Sequence, residues 1–284
     1  MKTLVAILLA LWGGSAFAAE DRVPPMPPEF KGLEITEHRG DKLPLSLPFV
    51  DETGAAVTLG DYFKAGRPVL LTLNYYECPM LCNMVLGGLV DGLKTLDWTP
   101  GKEFEVVTVS INHREGPALA LAKKTSHVEA IGKPEAAAGW HFLTGKSESI
   151  ESLTRTVGFG YRWEPDQMQY AHGAAIFMVS PEGVLTRYLY GIQYPAKDLR
   201  LALVEAGEGT LGSVVDRIML YCFHYVPTSQ RYEFYIWGAM RLGGVLTVLA
   251  MGTLLGTLWA KERRDQRAAA AAVVPPDSHA VTRA

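Results

Sequence analysis

Cys78 and Cys82 stand four residues apart, where the apolar run Leu70-Leu71-Thr72-Leu73-Asn74-Tyr75-Tyr76 gives way to Glu77-Cys78-Pro79-Met80-Leu81-Cys82-Asn83. Side chains at i and i+4 share one face of a helix, so both sulfurs could converge on a single atom or on each other. Pro79 suits a first helical turn, which places Cys78 at the helix N-terminus. Free N–H groups and the macrodipole there favour thiolate over thiol. Two thiolates on one face make a soft-metal site or a redox pair; a structural disulfide is the chemically idle alternative.

The elements that must hold this pair read as an α/β domain. Val69–Asn74 is a buried strand, Phe104–Ile111 a second, Trp140–Leu143 a short third. Helical spacing covers Met84–Leu96, Glu115–Ile131, Ser147–Val157 and Ala196–Ala206. Ala174–Val179 and Val184–Tyr190 flank a Ser180-Pro181-Glu182-Gly183 turn and form a hairpin, and Leu45-Leu47 with Phe49 alternates in strand fashion. Such alternation predicts a sheet with helices on its faces and a site at the strand ends.

The termini set the compartment. Lys2, an apolar core and Ala16-Phe17-Ala18 make residues 1–18 a signal peptide. A Pro-rich leader (19–32) precedes the domain (33–207), and a connector (208–233) leads to an apolar segment at 234–260. Its uncharged stretch Leu242–Ala260 is 19 residues long, near the length needed to cross a bilayer, and Lys261, Arg263, Arg264 and Arg267 suit a cytoplasmic flank for the tail 261–284, Ala-rich and expected to be disordered from 265. The exported part keeps 21 basic and 27 acidic residues, a net of −6, which argues against nucleic acid. Three cysteines in an oxidising compartment cannot all pair, so this is no disulfide scaffold.

A strand, a Cys-x-x-x-Cys and a helix start in such a domain resemble the thioredoxin superfamily, and the spelling resembles the Sco/SenC family of copper proteins that assemble cytochrome oxidase. The matching pieces are Val57-Thr58-Leu59-Gly60-Asp61-Tyr62-Phe63, Cys78-Pro79-Met80-Leu81-Cys82, Val106-Val107-Thr108-Val109-Ser110, Trp140-His141-Phe142-Leu143-Thr144-Gly145, Tyr170-Ala171-His172-Gly173-Ala174-Ala175-Ile176-Phe177 and Gly191-Ile192-Gln193-Tyr194-Pro195. Together they span about residues 33–206. The resemblance implies a thioredoxin-like fold and copper held by Cys78, Cys82 and His172. Soft thiolates select Cu(I), and imidazole completes a three-coordinate site. It further implies a Cys78–Cys82 redox disulfide, delivery to the copper-containing subunit of a respiratory oxidase and a thiol reductant protein as partner. Family members are often anchored by an N-terminal helix, whereas the signal peptide and late apolar segment here predict a periplasmic domain on a single-pass, C-terminal inner-membrane helix. Family members commonly carry an acidic residue between the cysteines and an Asp before the histidine; this chain has Met80, Leu81 and Ala171 there.

A thiol-disulfide oxidoreductase using Cys78 and Cys82 is the competing function. The thioredoxin pattern, however, has a two-residue spacer and a proline facing the thiols, whereas this chain has three spacer residues and His172. A peroxiredoxin would want Thr three residues before its reactive Cys, and Tyr75 and Pro79 stand at those positions. Met80 and Met84 read as packing residues, and His38, His113, His127, His141, His224 and His279 as surface or core residues. Cys222 and His224 read as part of an aromatic-rich connector, with a relay site as the alternative, and Gly252 and Gly256 as a small-xxx-small pair.

Overall fold

The structure is a computed structural model and describes residues 32–63, 65–78, 80–207, 215–216, 220, 223–226, 231–234 and 236–272. The expected signal peptide, Pro79 and Cys222 lie outside these residues.

In chain order the elements begin with β1 (Pro48–Val50), β2 (Ala56–Thr58), β3 (Val69–Asn74), α1 (Leu81–Thr95), β4 (Glu105–Ser110), α2 (Pro117–Ile131), β5 (Trp140–Leu143) and α3 (Ser147–Val157). Then come β6 (Tyr161–Glu164), β7 (Gln169–His172), β8 (Ala175–Val179), β9 (Leu185–Tyr190), α4 (Ala196–Ala206), β10 (Phe223–Val226), β11 (Arg231–Phe234) and α5 (Ile236–Ala272). Five strands form one sheet in the order β5-β4-β3-β8-β9. β3, β4 and β5 run parallel, with Val69 opposite Glu105 and Val106 opposite Trp140, while β8 and β9 run antiparallel to their neighbours. β3 lies at the centre and is buried along its whole length, as its mainly apolar sequence requires.

Alternation along β3 sorts its side chains onto two faces. Val69, Leu71 and Leu73 pack with Ile150, Leu153 and Val157 of α3, together with Phe49 and Leu59. Leu70 joins the apolar stripe of α1 (Val85, Leu86, Leu89, Val90, Leu93), with residues of α2 and α4. Two buried polar side chains pair across the sheet: Thr72 Oγ1 donates to Thr108 Oγ1 at 2.9 Å, and Trp140 Nε1 donates to the same oxygen at 2.9 Å. Gly158 ends α3 in the left-handed region (φ 72°), where a Cβ would stand 2.0 Å from the Thr36 carbonyl oxygen. That close approach draws the N-terminal segment toward the histidine strand β7.

Within α5, Gly243–Arg267 is long and apolar enough to cross a membrane, and none of it is buried. The disordered tail expected from residue 265 is corrected over 265–272, where the helix continues through the basic cluster to Ala272. Ala268–Ala272 is a run of the best helix former, and Arg263 stacks over the Trp259 ring at 3.6 Å one turn back. Two strands, β10 and β11, pair antiparallel in the stretch read as a connector, and β11 ends at Phe234, the first residue expected in the membrane helix, which starts at Ile236 instead.

Candidate metal centre

Strand β3 delivers the chain to the turn Tyr75–Cys78, and α1 starts beyond it. The expectation that both cysteines lie on one helical face is corrected: Cys82 is the second residue of α1, whereas Cys78 precedes the helix. The sulfurs still converge, because Cys78 Sγ accepts the Cys82 N–H at 3.2 Å. Met80, at the N-cap, provides no side-chain cap. The Cys78 sulfur takes that role, and a helix N-terminus stabilises negative charge on it.

His172 ends β7 and brings Nε2 to 3.0 Å from Cys82 Sγ. Its Nδ1 lies 2.7 Å from the Gly173 carbonyl oxygen. A carbonyl only accepts, so Nδ1 is the donor and the ring turns its Nε2 toward the sulfurs. Neighbouring rings hold the imidazole in place, with Phe159 at 5.5 Å and Tyr75 at 6.3 Å between centroids. Tyr170, on the same strand, stacks edge-on against Tyr75 and Trp163. The β6–β7 hairpin thus presents His172 from an aromatic ladder, with Tyr161 paired directly opposite it.

The two thiols are free and buried, and they divide their protons unequally. The hydrogen bond from Cys82, aided by His172 and the Cys82 and Met80 N–H groups, pulls Cys78 down to about 3 against its burial. Burial, then the hydrogen bond to Cys78, pushes Cys82 well above the thiol range. The pair titrates as a unit: a thiolate at Cys78 and one proton at Cys82. Burial and the Cys78 hydrogen bond raise the Tyr75 hydroxyl as well, keeping it neutral beside the thiolate.

Two thiol sulfurs and one imidazole nitrogen make a soft, borderline donor set that suits Cu(I) and accommodates Cu(II). Among the described residues, no group of three or more His, Cys, Asp or Glu forms a ready-made metal cage. A metal held by these residues would take the place of the direct contact between Cys82 Sγ and His172 Nε2, which stand 3.0 Å apart.

Glu115 anchors the turn without touching a sulfur. It accepts the Tyr76 N–H at 2.8 Å, the Glu77 N–H at 2.9 Å and the Ser110 hydroxyl at 2.6 Å. Asn83 Nδ2 donates to the Cys78 carbonyl at 2.8 Å and is itself held by Lys123 Nζ at 2.9 Å. A cavity of about 520 Å³ lined by Tyr75, Cys78, Met80, Tyr170 and His172 opens the site to solvent.

The three sequence-predicted ligands therefore meet. His38, His127 and His141 are engaged elsewhere, with the Thr156 carbonyl, the Lys123 carbonyl and Glu105. His113 is exposed, Cys222 and His279 lie outside the described residues, and so does the side chain of His224. The packing role expected for Met80 and Met84 is corrected: they are 68% and 45% exposed. Sequence reasoning missed Glu115, Asn83 and the hairpin rings. Only the rings left a signal, the alternation Tyr161-x-Trp163 and Tyr170-x-His172 around Pro165-Asp166.

A family model described as SCO1/SenC matches residues 39–203. The mitochondrial SCO2 homolog of Bos taurus is 26% identical over 130 residues, which are 43% of this chain and 45% of that protein, so the match spans less than half of that relative's length. A protein of known crystal structure from Aquifex aeolicus VF5 superposes with a TM-score of 0.53 at 22% identity, covering 59% of this chain and 94% of that chain. ScoI from Bradyrhizobium japonicum, solved with copper bound, gives a TM-score of 0.41 at 19% identity over 57% of this chain and 96% of that one. The fold is thioredoxin-like α/β, and among the described residues one apolar helix, near the C-terminus, is a candidate membrane span.

Proposed function

The chain belongs to the SCO1/SenC family, and from that footing we propose that it is an exported, membrane-anchored copper carrier. Its cargo goes to, or its thiols keep reduced, the copper site of a respiratory oxidase subunit. One observation carries this reading: Cys82 Sγ and His172 Nε2 stand 3.0 Å apart, beside a Cys78 sulfur polarised as thiolate. Cu(I) is the cargo. Cys78 offers an ionised sulfur at once, Cys82 gives up its proton, and the Gly173 carbonyl keeps the imidazole in the ligating tautomer. Oxidation to a Cys78–Cys82 disulfide removes both sulfur donors, so a thiol reductant protein is needed for loading.

In this proposal residues 1–18 are cleaved, the domain 33–207 lies in the periplasm, and α5 crosses the inner membrane with Lys261–Arg267 inside. The anchor keeps the pocket near the bilayer surface, where an oxidase subunit exposes its own site. A reporter enzyme fused after Arg267 checks the orientation; periplasmic activity at that position contradicts it.

Thiol-disulfide exchange is the second reading, favoured by the polarity of the pair: a thiolate at Cys78 and a proton reserve at Cys82. Anaerobic copper titration of the reduced full-length protein in detergent separates the two. The carrier reading expects one tightly held copper, lost in Cys82→Ser and weakened in His172→Ala. Exchange activity with no copper retention would favour the second.

A further inference from the structure

Met80 and Met84 are exposed in a domain that buries nearly every other large apolar side chain. Between residues 32 and 207 only Leu121, Trp163 and Met168 among described large apolar residues share that exposure. Core space is not the reason, since α1 buries Cys82, Val85, Leu86, Leu89, Val90 and Leu93 along its inner face. The Met84 N–H donates to the Met80 carbonyl at 3.1 Å, so the two residues lie one turn apart on one outer face. Met80 lines the cavity that holds Cys78 and His172; Met84, one turn further along α1, lines a second groove beside Gly87 and Gly88. A Cβ on Gly87 would meet nothing within 4 Å, so that approach is open.

We propose that Met80 and Met84 form an uptake site for Cu(I) on the rim of the pocket, accepting the ion by their thioethers before it passes to Cys78, Cys82 and His172. The inference rests on the copper reading of that pocket. Thioethers are soft and neutral, so they take Cu(I) in preference to Zn²⁺ or Cu(II) and hold it weakly. The inner ligands include thiolates, so transfer runs downhill. Cu–Sδ bonds to Met80 and Met84 break as Cu–Sγ bonds to Cys78 and Cys82 form. Copper remains Cu(I) throughout, and the single thiol proton of the pair leaves through the cavity to solvent. The donor is any Cu(I) complex able to reach the Gly87 groove.

The test uses full-length protein in detergent with ¹³C-methyl methionine and Cu(I) supplied as a chelator complex. In a Cys78→Ser/Cys82→Ser variant, Cu(I) is expected to shift the Met80 and Met84 methyl resonances at an affinity far below that of the wild type. A Met80→Leu/Met84→Leu variant keeps the apolar surface but lacks sulfur. It is expected to hold one tight Cu(I) per chain yet to load about tenfold more slowly. Unshifted methyl resonances in the thiol-free variant, or wild-type loading rates in the leucine variant, would overturn the proposal. Failure of the wild type to hold tight copper refutes the reading of the pocket instead, and the thiol-free methyl shifts still decide the uptake site.

Discussion

Replacing Glu115 by Ala tests whether the pocket depends on a carboxylate that contacts neither sulfur nor imidazole. Hydrogen bonds to a charged acceptor contribute about 1.5–3 kcal/mol each, so the three at Glu115 set a ceiling of about 4.5–9 kcal/mol. Much of that is recovered on truncation. Glu77 is exposed, and its N–H turns to water; the Ser110 hydroxyl already approaches the Asn112 carbonyl at 3.3 Å. The Tyr76 N–H is buried and has no such recourse, and an orphaned buried donor costs about 1–3 kcal/mol. Adding the lost charge assistance gives an expected destabilisation of about 2–4 kcal/mol. Guanidinium unfolding of the detergent-solubilised chain, followed by tryptophan fluorescence, measures it. Glu115→Gln, which keeps one acceptor, should fall between wild type and Ala. Because the same bonds fix the turn carrying Cys78, copper retention should drop about 10–100-fold in Glu115→Ala. A stability change below about 0.5 kcal/mol together with unaltered copper retention would refute the reasoning.

Alkylation of reduced protein should modify Cys78 at a rate nearly flat from pH 5 to 8, since a group pulled down to about 3 is already thiolate throughout. A rate climbing tenfold per pH unit up to pH 8 would show an ordinary thiol. Gly92→Ala should destabilise the domain by about 1–3 kcal/mol, because its Cβ would stand 2.2 Å from the Tyr194 carbonyl oxygen and 2.7 Å from Leu199 Cδ1. Gly87→Ala, with open space on the same helix, should instead stabilise by up to about 1 kcal/mol; thermal unfolding of both variants decides.

Strand β3, strand β5, α3 and α4 lie where apolar patterning and turn residues put them, because each is fixed by local period and a clear break. The start of α1 was less legible. Pattern reading placed Cys78 at the helix N-terminus, sharing a face with Cys82, but the helix starts at Leu81 and the Cys78 sulfur accepts an N–H of its first turn from outside. The β6–β7 hairpin escaped notice because its strands are four residues long and half exposed, too short for a period to stand out. The proximity of Cys82 and His172, 90 residues apart, was readable from motif order along the chain. Glu115 was not, since nothing local marks a carboxylate that reaches across 39 residues to a backbone N–H. The methionines misled for a related reason: pattern alone treats a soft apolar side chain as core, and only the fold shows which face it takes.

X-ray absorption on the Cu(I)-loaded, reduced full-length protein tests the central claim most directly. The account predicts a first shell of two sulfurs and one imidazole nitrogen, with the nitrogen lost in His172→Ala and no copper retained in Cys82→Ser. A shell that keeps its nitrogen in His172→Ala, or that contains no cysteine sulfur, would contradict it.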